Sequence, residues 1–154
     1  NCDWSSDVCS SDLPTARTSP EALATVRAMW EQAGSTVLTM DPFVHDEVLG
    51  AVSHLPHAVA FSLMTALGEI ESRMKPEQDL LAFGGGGLRD TTRIAASSPE
   101  MWRDICLWNR DNLVRMLQVY EQHVAQFRTL VDAGDTVGLE KFMARAKQLR
   151  ERVH

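Results

Sequence analysis

Leu113-Val114-Arg115-Met116-Leu117-Gln118-Val119-Tyr120-Glu121-Gln122-His123-Val124-Ala125-Gln126-Phe127-Arg128-Thr129-Leu130-Val131 is the stretch that decides the fold. Leu113, Leu117, Tyr120, Val124, Phe127 and Val131 step alternately by four and three residues, which places them on one stripe of a long helix in the manner of a coiled-coil seam. Beyond it, Gly134-Asp135 turns the chain. Leu139, Phe142, Met143, Ala146 and Leu149 then line one face of a last helix, whose basic end suits the helix dipole. Upstream, Ser97-Ser98-Pro99-Glu100 opens the preceding helix. Lys75 to Leu88 reads as a loop ending in four glycines. Phe43 to about Arg73 reads as a helix interrupted at Pro56, whose ring and missing N–H free the carbonyl of Val52 and bend or break the segment. Asp41-Pro42 caps and starts this region. Residues 42–154 therefore read as an all-helical domain.

The segment before it has another character. Thr18-Ser19-Pro20-Glu21 has capping-box spacing, Leu23, Val26, Met29 and Trp30 recur on one helical face, and Gly34 closes the helix. Ser35 to Met40 follows as a short β-rich run. Helix, glycine and strand make half of an α/β unit, with no sheet of its own to join. Residues 14–41 are thus expected to be the C-terminal remnant of a larger α/β domain. Asp3 to Leu13 back-translates to a sequence resembling a common short-read sequencing adapter, so residues 1–13 are set aside as an artefact expected to be disordered. On that reading Cys2 and Cys9 carry no metal or disulfide message. Cys106 remains, on an apolar helical stretch where a small buried hydrophobe is the expectation.

The chain has 154 residues and is 44% hydrophobic, enough for one domain with a core. Its formal charge of −6 becomes −3 without Asp3, Asp7 and Asp12. No basic block offers a footprint for nucleic acid, which is excluded as a partner. No unbroken apolar run reaches the roughly 18–20 residues a bilayer crossing needs, so no membrane association is expected. A soluble cytoplasmic protein is the expectation, in line with the single remaining cysteine.

Two motifs could carry chemistry. The first is Ser53-His54-Leu55-Pro56-His57. On a regular helix from Val44, Asp46, Gly50, Ser53 and His57 would form a polar stripe in which the glycine leaves room for a ligand. The two imidazoles are equally readable as a buried, hydrogen-bonded pair. The second is Gly84-Gly85-Gly86-Gly87-Leu88-Arg89-Asp90-Thr91-Thr92-Arg93. The glycines let backbone approach a ligand closely, and a guanidinium beside them can grip a carboxylate bidentately. A flexible loop followed by a solvated Asp90–Arg93 pair is the plainer alternative. This is not a phosphate loop, because no Lys-Ser/Thr follows and no strand precedes. Trp102 could wall the same pocket or pack in the core.

Together, Pro14-Thr15, His45-Asp46, Ser53 to His57, Gly85-Gly86-Gly87-Leu88-Arg89-Asp90-Thr91-Thr92-Arg93-Ile94-Ala95 and Pro99-Glu100-Met101-Trp102 make the chain resemble the C-terminal part of the prephenate/arogenate dehydrogenase family, from Pro14 to the end. The resemblance implies a helical dimerisation domain of the 6-phosphogluconate-dehydrogenase-like C-terminal type after a truncated Rossmann-like domain. It also implies an NAD- or NADP-dependent oxidative decarboxylation of prephenate or arogenate in tyrosine biosynthesis, carried out by a homodimer intertwined through its helices. By the same resemblance Arg93 binds the substrate's ring carboxylate, His57 contacts substrate, and Ser53 and His54 shape the pocket. Asp90 pairs with Arg93, while Gly86, Gly87 and Trp102 reach the partner subunit's site. The chain departs from the family in having Leu88 where phenylalanine is usual. The family's nucleotide fingerprint and catalytic histidine belong to the N-terminal domain, so hydride transfer is not expected from these residues alone.

Two other function classes are open to the residues themselves. A helical metal-dependent phosphohydrolase would use His45, Asp46, His54 and His57. A non-catalytic dimerisation module would need only the heptad seam.

Overall fold

The computed structural model describes residues 13–74 and 79–153, and the expectation for residues 1–13 therefore lies almost wholly outside the described residues. Among the described residues there are helices and no β-strand. Contacts divide the chain into two compact units between Leu49 and Gly50.

In the first unit, helix α1 (Pro20–Gln32) starts as its capping signal requires: the Ser19 hydroxyl accepts the amide N–H of Ala22 at 3.1 Å, with Pro20 in the first turn. It stops at Gly34, whose φ of +87° only glycine adopts without strain. There the amides of Gly34 and Ser35 turn back onto the carbonyls of Glu31 and Trp30. The expected strand over Ser35 to Met40 does not form. β-propensity makes a strand only when a neighbour supplies the hydrogen-bond ladder, and no other strand is present among the described residues. The run is held to α1 instead by Arg27, which donates to the Val37 carbonyl at 3.2 Å and the Thr39 hydroxyl at 2.6 Å. No residue of α1 is buried. Helix α2 (Pro42–Leu49) follows, its first turn capped by Asp41 Oδ1, which accepts from Phe43 N–H at 2.8 Å.

The second unit begins with a π-helical turn, Gly50–His54, which runs directly into α3 (Leu55–Ser72). Pro56 was expected to bend or break the helix, and the outcome is milder. The widened turn lies just before it, so the proline falls in the first turn of α3, where a missing N–H costs nothing. The extra residue also destroys the regular spacing on which the expected Asp46–Gly50–Ser53–His57 stripe depended. Helix α4 (Gly86–Thr92) starts inside the glycine run, earlier than the loop expected to Leu88, and passes into a 3-10 turn over Arg93–Ala96; both pack on α3.

Helices α5 (Pro99–Trp108) and α6 (Arg110–Asp132) are separated by one residue, Asn109. Ser98 caps α5 by accepting from Met101 N–H at 3.3 Å. Helix α6 crosses the π turn closely: a Cβ placed on Gly50 would sit 3.3 Å from Asn112 Cβ and 3.5 Å from Asn109 Nδ2. Gly50 is buried there. It was expected to make room for a ligand, and it makes room for a helix. After Gly134, with φ +61°, Asp135 caps α7 (Thr136–Arg150), which folds back on α6 through Phe142 against Phe127, ring centroids 5.5 Å apart.

The interior is small. Ala60, Trp102 and Leu113 are its buried hydrophobic residues among those described, while Tyr120, Val124, Phe127 and Val131 of the seam and Met143 and Leu149 of α7 stay exposed. Pro42–Ser72 is a 31-residue helical run containing an 18-residue window of mean hydropathy 1.3, long and apolar enough by those measures to cross a bilayer. Counting unbroken apolar runs missed it because Ser53, His54, Pro56 and His57 punctuate an otherwise apolar average. Only 11% of that window is buried within the chain.

Candidate functional site

The π turn and the start of α3 bring the Ser53 to His57 motif onto α5 and α6. His57 stacks on Trp102, with ring centroids 3.6 Å apart and planes 21° from parallel. His54 meets the same indole edge-on at 5.9 Å, and Phe61, one turn further along α3, meets it at 6.3 Å. Trp102 is only 6% exposed. The tryptophan is thus a core residue, as one of its two readings had it, and it lies against both imidazoles of its own chain.

The hydrogen bonds fix what each ring can offer. His57 Nδ1 lies 2.9 Å from the carbonyl oxygen of Ser53. A carbonyl can only accept, so Nδ1 carries the proton and Nε2 of the neutral ring is an acceptor. Ser53 thus enters the arrangement through its backbone. His54 Nδ1 lies 3.1 Å from the side-chain amide nitrogen of Asn109. The amide donates, so the neutral His54 ring carries its proton on Nε2. The two neighbouring histidines are held in opposite tautomers.

Asn109 was not among the residues singled out from sequence. It lies in Asn109-Arg110-Asp111-Asn112, a polar run that reads as an inter-helix turn, yet the residue is 8% exposed. Its backbone N–H donates to Ile105 at the end of α5, and its carbonyl accepts from Leu113 in α6. Its side-chain oxygen accepts from Asn112 Nδ2 at 2.7 Å, and Asn112 Oδ1 in turn accepts from Arg115. A buried Asn is legible only once packing is known, because its polar type predicts the opposite.

The indole Nε1–H of Trp102 is buried without a hydrogen-bond partner among the described residues. A buried orphan donor costs about 1–3 kcal/mol. In a native protein such a donor calls for a structural explanation.

The second motif is only partly drawn in. Arg93 opens the 3-10 turn packed on α3, and its guanidinium is exposed; among the described residues it has no ion pair. The expected Asp90–Arg93 pair is not formed. Both side chains are exposed, so water serves each charge and little is gained by holding the two together. A Cβ at Gly85, Gly86 or Gly87 would meet nothing within 4 Å, so these glycines are not required by packing inside the chain. Gly84 is different: a Cβ there would come within 2.8 Å of Leu88.

Neither metal nor nucleotide finds a seat in these residues. Among the described residues no group of three or more His, Cys, Asp or Glu side chains is placed to hold a metal ion, and His45 is hydrogen-bonded to its neighbour Asp46 at 3.1 Å. The phosphohydrolase alternative has no support. The glycine run leads from a 3-10 turn into a seven-residue helix with no strand before it, unlike a dinucleotide-binding turn. Burial pushes the Cys106 thiol up, which keeps it protonated and unreactive.

Comparison with known proteins agrees with this architecture. Residues 41–145 match the family described as "Prephenate dehydrogenase, dimerization domain". The cyclohexadienyl dehydrogenase of Zymomonas mobilis subsp. mobilis is 34% identical over 122 residues, covering 79% of this chain and 41% of that protein. The prephenate dehydrogenase of Bacillus subtilis is 33% identical over 138 residues, covering 90% of this chain and 36% of that protein. The chain thus spans well under half the length of either relative. The crystal structure of prephenate dehydrogenase from A. aeolicus in complex with hydroxyphenyl propionate and NAD+ superimposes with a TM-score of 0.81 at 38% identity, over 92% of this chain and 49% of that one. The helical fold, the family match over Asp41 to Arg145 and these relatives together place the chain in the prephenate dehydrogenase family, as its dimerisation-domain part.

Proposed function

We propose that this chain is the dimerisation and substrate-binding part of a cytoplasmic prephenate or arogenate dehydrogenase, which oxidatively decarboxylates its substrate in tyrosine biosynthesis with NAD or NADP. The observation that carries the reading is the stack of His57 on Trp102 at 3.6 Å, which locks the Ser53 to His57 motif beside an unsatisfied buried donor. Arg93 lies on a turn packed against the same helix, α3, and has a guanidinium to spare for a carboxylate. Substrates of this class carry carboxylates, and a planar fork grips one with two parallel hydrogen bonds. Within the site His57 offers an acceptor at Nε2 and the apolar face of Trp102 lies behind it.

The bound nucleotide supplies the hydride acceptor, and a separate nucleotide-binding domain would have to hold it. Residues 14–41 fit the tail of such a domain: α1 is apolar on one face and buries none of it. Residues 42–154 are the helical part. Homodimerisation is supported by the exposed apolar residues of α6 and α7, and the uncovered apolar face of α3 belongs to the same account.

The test is Arg93→Ala in a full-length dehydrogenase carrying this domain. Loss of a charge-assisted bidentate contact is worth about 1.5–3 kcal/mol, so kcat/KM for prephenate should fall by about 10- to 150-fold. NAD binding should stay within about twofold, since the nucleotide sits on another domain. Equal loss of both, or of neither, would refute the reading.

A further inference from the structure

Helix α7 has two sides. Phe142 and Gly138 turn toward α6: the Phe142 ring lies 5.5 Å from that of Phe127, and a Cβ on Gly138 would come within 2.7 Å of Leu130 Cδ2. At 3.6 residues per turn Thr136, Glu140, Met143, Ala144 and Lys147 share the side turned away from that contact. With Leu139 they line a shallow groove, open to solvent, whose surface is apolar although two of its residues are charged. Glu140 and Lys147 border it with their aliphatic stems and keep their charged heads in water. Met143, at its middle, is 52% exposed.

Charge along this groove is self-complementary. Glu140 and Lys147 are opposite in sign and equidistant from the Met143–Ala144 step. Neither has an ion pair among the described residues, and two helical turns, about 10 Å along the axis, keep them from pairing with each other. A second α7 laid antiparallel in the groove, related by a two-fold axis at the Met143–Ala144 step, sets Glu140 against the partner's Lys147. An isologous contact repeats every pair, so the same bridge forms at the other end. A parallel second copy would instead oppose Glu140 to its own kind. The small Ala144 side chain at the axis admits a close approach, the unbranched Met143 fills the space beside it, and antiparallel helices oppose their dipoles. We propose that α7 is a self-pairing surface, on which a second copy of this chain docks antiparallel with the two-fold axis at Met143–Ala144. The family match supplies the occupant, since it describes a dimerisation domain, and leaves face and register open. The proposal rests on the homodimer reading above and extends it from the exposed seam of α6 to α7, which the Phe127–Phe142 contact joins.

Charge reversal tests the register. Glu140→Lys and Lys147→Glu alter exposed side chains and leave the helix intact. Each alone turns two attractive contacts into two repulsive ones. Each should therefore raise the dimer dissociation constant about tenfold at low salt, read by fluorescence-detected sedimentation velocity on the whole chain. The double variant carrying both reversals restores opposite charges at both contacts and should return the constant to within about twofold of native. At about 1 M salt all three variants should converge on the native value, because exposed charges are then screened. Single variants that dimerise like the native chain overturn the proposal. A double variant as weak as the two single effects added also overturns it, since each charge then faces something other than its counterpart. A dimer indifferent to these reversals but lost in Val124→Asp keeps the homodimer reading and removes only the α7 contact. A native chain that stays monomeric removes both.

Discussion

Trp102 gives the sharpest test of how the site is built. Replacement by alanine removes a side chain that is 6% exposed and touches the rings of His54, His57 and Phe61. A buried tryptophan lost to alanine costs about 3–5 kcal/mol, the aromatic contacts included. The same change removes the orphaned indole N–H, which offsets about 1–3 kcal/mol of that loss. The net expectation for Trp102→Ala is about 2 kcal/mol of destabilisation, the centre of a span of about 0–4 kcal/mol. Trp102→Phe keeps a ring against His57 and discards the orphan donor. It loses the smaller ring of the indole, about 1–2 kcal/mol of burial, against the same relief, so it should lie within about 1 kcal/mol of the native chain. Urea unfolding followed by circular dichroism, at one fixed protein concentration because association contributes to stability, measures both. A Phe variant as unstable as the Ala variant would show that the indole N–H is satisfied in the folded protein. An Ala variant within about 1 kcal/mol of native would show that Trp102 is not the keystone of the α3–α5 contact.

Further outcomes follow from packing and exposure. Gly50→Val should destabilise by about 1–3 kcal/mol, because a Cβ already lies 3.3 Å from Asn112 Cβ and further methyls can only push α6 away; a thermal midpoint equal to native would mean that the crossing is looser than described. Val124→Asp places a charge in the exposed part of the seam and should convert a dimer to monomer in sedimentation velocity, with helicity in circular dichroism retained. Dimerisation with unchanged affinity would move the interface off α6. The Arg93→Ala experiment completes the set and reads the substrate's charge.

Much of the helical frame could be read from local chemistry. Ser19 and Ser98 cap the helices that their serine-proline runs were expected to open, and Gly34 and Gly134 end helices through positive φ, because each of these acts over a few residues whatever surrounds it. The family resemblance, too, lay in contiguous motifs. Expectations failed where a distant partner or a change of helical period intervened. Ser35 to Met40 lacked a neighbouring strand, and the π turn at Gly50–His54 absorbed Pro56 and shifted the polar face.

The sequence by itself determined where α1 and α5 begin, that α6 carries an apolar seam, and that two histidines and two arginines sit in suggestive motifs, since periodicity and capping depend on neighbours along the chain. Only the tertiary structure decided that Gly50 admits a helix in place of a ligand, that Trp102 stacks on His57, and that Asn109, 55 residues beyond His54, comes within 3.1 Å of that ring. Those contacts join residues far apart in sequence. Packing alone brings them within hydrogen-bonding distance, and the proton's position on an imidazole is settled only by the atom across from it.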